Sequence, residues 1–183
     1  MKLFAYGDGG REMYKVGDYT MHGNHGICKV VEIGTLNMDV SNKEQLYYTL
    51  SPLFSKGSMV YSPIGSEKVV IRDVLSMDEA NELINKIPEL EIFQEINDKL
   101  MEVKLKEQIK TYQASNLLQI IKTLFMKSIL KESAGKRLST NEDRYFVQAK
   151  DLLYGELATV FSCTKEEIHE KIAEAFTSKE KMA

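Results

Sequence analysis

The chain reads as an α+β protein of two domains, a small β barrel followed by an all-α helical bundle. Three observations predict this. From Met13 to Arg72, short runs rich in Val, Ile, Tyr and Thr alternate with Gly, Asn, Ser and Pro, the signature of short strands and tight turns. After Arg72 the apolar residues recur at helical spacing, so each segment presents one buried face. Between the two patterns stand Ser76-Met-Asp-Glu79, which spells a helix-capping box, and Pro88, which forbids helical continuation.

Strands are expected near Tyr19–Met21, Ile27–Ile33, Gln45–Leu50, Ser58–Tyr61 and Val69–Ile71. The turn Gly23-Asn24-His25-Gly26 supplies residues that tolerate positive φ, as a tight hairpin requires. Five short strands at this spacing close most readily into a small barrel, because closure removes exposed edges. The Ser76 box opens a short linker helix that ends before Pro88. Four helices are expected beyond it. The first spans Glu89–Lys106, with acids at its positive dipole end. The second runs from Thr111 or Ser115 to Lys131 and buries Leu117, Ile121, Leu124 and Phe125. Ser133-Ala-Gly-Lys136 breaks it. Ser139-Thr-Asn-Glu142 is a second capping box, opening a helix that aligns Phe146, Ala149, Leu153, Leu157 and Val160. Thr164-Lys-Glu-Glu167 is a third, ahead of Ile168, Ile172 and Phe176. Short connections make these helices antiparallel neighbours. The expected division is therefore 1–12 a flexible extension, 13–75 the β domain, 76–88 a linker helix and 89–183 the helical domain.

Composition narrows the function. The 183 residues are 43% hydrophobic, enough for packed cores. Net charge is −3, but the segment 104–137 carries eight cations against Glu107 and Glu132, so +6 sits there and −9 elsewhere. Such separation gives the molecule a directed field that steers a charged partner. The two cysteines, Cys28 and Cys163, are far apart and form no Cys-x-x-Cys pair, which suits a reducing cytoplasm. No apolar run approaches the ~20 residues that cross a bilayer.

Little of the chain points to catalysis. His22-x-x-His25-x-x-Cys28 has the spacing of metal ligands, but a structural zinc site needs four and no second pair exists. No metal or other cofactor is expected. No nucleophile stands in a context that would activate it. Gly7-Asp-Gly9-Gly10 lacks the Lys-Ser/Thr of a phosphate loop. No small-molecule substrate and no membrane partner follow from these features. The basic segment is the stronger lead. Lys104, Lys110, Lys122, Lys127, Lys131, Lys136 and Arg137 are the candidate contacts to nucleic-acid phosphates, reinforced by backbone N–H groups where the Ser139 helix starts. An acidic protein partner would satisfy the same cations.

Tyr14-Lys-Val-Gly-Asp18 followed by His22-Gly-Asn-His-Gly26 resembles the opening of the CarD family of bacterial transcription regulators. Val70-Ile-Arg-Asp-Val74 resembles the segment that closes that family's β domain. Arg137-Leu-Ser-Thr-Asn-Glu142 and Ala149-Lys-Asp-Leu-Leu-Tyr-Gly-Glu-Leu-Ala158 are similar to its helical portion. The resemblance implies a Tudor-like domain that binds the β subunit of RNA polymerase, and a helical domain that touches promoter DNA and alters open-complex stability, without catalysis. It places the polymerase-contacting strand at Ser58, Met59, Val60 and Tyr61, and it implies a cytoplasmic protein held near the nucleoid by polymerase. The family's minor-groove wedge is a tryptophan. This chain has none, and Phe93 is the candidate in its place.

Overall fold

The computed structural model describes residues 14–36, 45–55, 57–94 and 97–177. The expected extension at 1–12 lies outside them. The chain divides into two compact units, Met1–Val74 and Leu75–Ala183.

The first unit is one antiparallel five-stranded sheet: β1 (Tyr19–His22), β2 (Gly26–Thr35), β3 (Leu46–Pro52), β4 (Val60–Pro63) and β5 (Ile71–Asp73). Alternation along the strands puts Cys28 and Val30 of β2 beside Tyr48 and Leu50 of β3, all buried, and Tyr14, Ile33, Val60, Ile64 and Ile71 pack around them. Tyr14 meets the Tyr48 ring edge-on with centroids 5.8 Å apart, and its N–H donates to the Tyr48 hydroxyl at 3.2 Å. The β1–β2 hairpin closes at the pair His22 and Gly26, where Gly26 has φ 68°, a value that glycine adopts without strain. Between Val30 and Glu32 the β2–β3 register slips, so Val31 is an extra residue that bends the strand.

The sheet order is β4-β3-β2-β1-β5. This corrects the expectation of a closed barrel: among the described residues, β4 and β5 are opposite ends and no ladder joins them. Two features account for the opening. β5 is only three residues long and pairs with β1 alone. β4 ends at Pro63, which has no N–H to donate to a further strand. Both strands also lie about two residues later in the chain than their spacing predicts.

The second unit contains α1 (Met77–Asn85), a single 3-10 turn (Ile87–Glu89), α2 (Asp98–Ile109), α3 (Ala114–Ser133), α4 (Thr140–Phe161) and α5 (Lys165–Thr177). All three capping boxes form: Ser76 with Glu79, Ser139 with Glu142, and Thr164 with Glu167. The buried stripes fall largely where the spacing puts them, although Phe146 and Val160 at the ends of the expected α4 stripe are only half-buried. Leu117, Ile121 and Leu124 of α3, Ala149, Leu153 and Leu157 of α4, and Ile168, Ile172 and Phe176 of α5 are all core residues. Each fully buried aliphatic side chain is worth roughly 1.5–3 kcal/mol. Phe125 is half-buried against Phe176, with ring centroids 5.3 Å apart.

One helix differs from expectation. The segment predicted to be helical from Glu89 begins only at Asp98, behind an Asn97 cap that accepts from the Lys99 N–H at 2.8 Å. Residues 90–94 instead run without helix along α3. The Lys122 ammonium donates to the Ile87 and Leu90 carbonyls at 2.8 and 2.7 Å. The Gln119 side chain donates to the Glu91 carbonyl at 3.0 Å, and the Phe93 N–H donates to the Thr123 hydroxyl at 3.1 Å. Three side chains of α3 thus satisfy backbone groups that a helix would otherwise pair internally.

Candidate functional site: a strand edge and a basic turn

β4 is an edge strand, and its register decides which groups a partner can reach. The Ile64 N–H donates to the Leu46 carbonyl at 2.9 Å. β3 and β4 pair Tyr47 with Pro63, Tyr48 with Ser62, Thr49 with Tyr61 and Leu50 with Val60. In an antiparallel ladder, hydrogen-bonded and non-bonded pairs alternate. Ser62 and Val60 therefore turn their backbone groups toward β3, whereas Pro63 and Tyr61 turn theirs outward. Pro63 sits where a missing N–H costs the sheet nothing. Of the four residues expected to contact a partner, Tyr61 carries an open backbone position in the strand, and Met59 and Tyr61 are 54% and 46% exposed. The Val60 side chain packs on the core and its N–H belongs to the sheet, while the Ser58 N–H donates to the Ser55 carbonyl at 3.3 Å.

The seven expected cations separate into two groups. Lys122 holds the 87–90 backbone, as described above. The Lys127 ammonium lies between Asp98 at 2.9 Å and Glu142 at 2.5 Å, and Lys131 reaches the same Glu142 at 3.2 Å. Glu142 is buried, at 5% exposure. Burial pushes its pKa up, but Lys127, the N–H and hydroxyl of Ser139, and Lys131 outweigh this and hold it down at about 2. These three lysines are part of the bundle's framework.

The other four cations face outward to different degrees. The Lys104 ammonium lies 5.8 Å from the Phe93 ring centroid. Lys110 is exposed at the end of α2. Lys136 and Arg137 are exposed in the turn after α3. That turn is built by Gly135, at φ 68°, whose N–H donates to the Glu132 carbonyl at 2.9 Å while the Lys136 N–H donates to the Lys131 carbonyl at 2.8 Å. This pair of bonds is the Schellman arrangement, and it holds the following residues in a fixed direction. Lys136 and Arg137 line an open groove of about 830 Å³ together with Ser128, Thr140, Phe146 and the acids Glu132 and Asp143. Phe93, the expected wedge, is half-buried and tied by its backbone to Thr123.

The histidine–cysteine run forms the end of the first hairpin. The His22 and His25 ring centroids are 4.9 Å apart, and the buried Nδ1 of His22 has no hydrogen-bond partner among the described residues. Burial first, and then the charge of His25, hold the His22 pKa down at about 4. Burial pushes the Cys28 thiol up to about 11, and its S–H donates to the Gly26 carbonyl at 3.6 Å. Among the described residues, no three His, Cys, Asp or Glu side chains converge where they could hold a metal ion. None of the described helices is long and apolar enough to cross a membrane.

The class these features define is a two-part α+β protein: an open antiparallel sheet with short edge strands β4 and β5, then a helical unit with a cationic turn. Residues 14–75 match the family model of the CarD-like/TRCF RID domain. The match falls on the β unit, which is therefore similar to that domain. A search of curated proteins found no match.

Sequence reasoning missed the strap at 90–94 and the framework role of Lys122, Lys127 and Lys131. One signal for the strap was available. Asn97-Asp98 is a good helix start, and it lies inside the segment assigned to an earlier helix.

Proposed function

We propose that this protein is a non-enzymatic regulator of transcription initiation that binds the β subunit of RNA polymerase and touches promoter DNA, changing open-complex stability. The observation that carries the reading is the outward backbone of Tyr61 on the edge strand β4, with Met59 and Tyr61 exposed beside it, within the segment that matches the CarD-like domain. A partner strand added there would take main-chain bonds from Tyr61 and selectivity from its exposed side chain. The β unit is then a Tudor-like module, and the protein works in the cytoplasm beside the nucleoid. DNA contact falls to Lys136 and Arg137, with Lys104 and Lys110 as further cations. These are phosphate contacts, so they give affinity and position with little sequence readout. Binding to DNA alone would be weak and strongly salt-dependent, and tethering to polymerase supplies the missing effective concentration.

A second reading is favoured by the internal pairing of Lys122, Lys127 and Lys131: a protein-interaction module whose helical unit never meets DNA. A photo-crosslinker at position 136, in a complex of polymerase, promoter and the full chain, separates the two. Crosslinks to upstream DNA support the first reading, and crosslinks to protein alone support the second. Failure of purified polymerase to retain the chain at low salt refutes both.

A further inference from the structure

Glu156 is the residue whose chemistry least fits its place. It lies in α4 within the stretch Leu152–Ala158, every residue of which is buried, and its own exposure is 0%. Its neighbours in that stretch are apolar apart from Tyr154. A carboxylate in such surroundings loses its hydration, and a Leu or Met of similar size would fill the space at no such cost. Glu156 therefore needs a purpose that an aliphatic residue cannot serve.

One contact it makes supplies such a purpose. Its Oε1 accepts the Leu75 N–H at 3.1 Å. Leu75 is the first residue of the helical unit and stands immediately before the Ser76–Glu79 capping box. Its N–H precedes the α1 hydrogen-bond ladder. Next to it, the Ser76 N–H donates to Glu79 at 2.8 Å, so two successive backbone donors are held by carboxylates from different helices. Farther along, Ala80 of α1 is fully buried. The entry of the chain into the helical unit is thus pinned from α4 and from α1 together.

We propose that Glu156 is a latch: a positioning residue that fixes where the chain enters the helical unit, so that a grip made by the β unit restrains the helices. The coupling half of this statement rests on the function proposed above. The latch itself does not. Releasing Leu75 lengthens the free segment ahead of α1, which lowers the effective concentration of the helical unit at its own partner. Neither binding surface is touched, so each keeps its separate affinity.

The test is hydrogen exchange on the full chain, read at the Leu75 amide, for wild type, Glu156→Gln and Glu156→Met. In wild type this amide should exchange as slowly as amides of the α1 interior. Glu156→Gln keeps an acceptor and should stay slow. Glu156→Met fills the space without an acceptor and should speed exchange at Leu75, on the order of tenfold to a hundredfold for a bond to a charged acceptor. Amides of α4 and α5 should be unmoved. A fast Leu75 amide in wild type overturns the latch without any variant, which covers the case of Glu156→Met failing to fold. Unchanged exchange in a folded Glu156→Met overturns it equally. The coupling is read from crosslinking of position 136 to promoter DNA within the polymerase complex. Glu156→Met should weaken that crosslink while polymerase capture by the β unit is retained. If wild type binds no polymerase, the proposed function fails and the exchange result alone decides the latch.

Discussion

The buried His22 makes the β unit sensitive to mild acid while the helical unit is not. Unfolded, an imidazole titrates near 6.5. In the folded hairpin, burial and the adjacent His25 hold His22 at about 4. Above the higher value both states are neutral and the group contributes no pH dependence. As pH falls through this window the unfolded chain takes up a proton that the folded chain refuses, so stability drops until the lower value is reached. The whole loss is about 3 kcal/mol, and about 2 kcal/mol of it is incurred by pH 5. That is a large part of the stability of a small domain. Glu142 in the helical unit behaves oppositely in range. Its pKa is lowered from 4.5 to about 2, so its stabilisation is intact above the first value and is lost only as pH falls toward the second. Hydrogen exchange measured near pH 7 and near pH 5, corrected for intrinsic rates, separates the units. Opening free energies at Val30 and Leu50 should fall by about 2 kcal/mol, while those at Leu117 and Leu153 hold. In His22→Leu the fall at Val30 and Leu50 should vanish. Equal opening free energies at the two pH values in wild type would refute the reasoning.

Four further outcomes follow from the geometry. Tyr61→Pro removes an outward donor and leaves the inner ladder intact, so polymerase capture should weaken with little change in thermal stability. Val60→Pro breaks a bond to β3 and should lower the melting temperature of the β unit; a ranking in the other order contradicts the register. Lys136→Glu and Arg137→Glu should each weaken binding of the full chain to a polymerase–promoter complex, with each lost phosphate contact lowering the salt slope by about one. Lys122→Met should leave that slope unchanged while freeing the strap at 87–90, visible as faster exchange at Phe93. Lys127→Met leaves Glu142 buried with Lys131 as its remaining cation, and urea denaturation should show a loss of about 3 kcal/mol, near the low end for a broken buried pair because Lys127 itself is partly exposed. A loss below about 1 kcal/mol would place that pair with ordinary surface bridges.

Local signals carried most of the fold. Capping boxes announce themselves because their bonds lie within four residues, and all three formed. The stripes of α3, α4 and α5 were legible because one buried face forces a helical period on the apolar residues. Chain closure was not legible. Whether β4 meets β5 depends on strand lengths and on where Pro63 falls in the register, and composition records neither. The basic segment was the other limit. Seven cations in sequence look like one face, yet Lys122, Lys127 and Lys131 turn inward toward carbonyls and toward Glu142, an acid whose burial follows from its place in a capping box against α3. The CarD-like resemblance pointed to Ser58–Tyr61, which overlaps the edge strand β4 at Val60 and Tyr61. Only the pairing of Ile64 with Leu46 showed that Tyr61, and not Val60, holds its backbone open.

Pro63 has a consequence that reaches past the single molecule. An uncovered strand invites any like strand to zip onto it, and repeated copies would then grow into insoluble fibres. A proline at an outward position interrupts such growth after a couple of residues. The protein can therefore keep a short sticky tooth for its intended target and remain a poor template for itself.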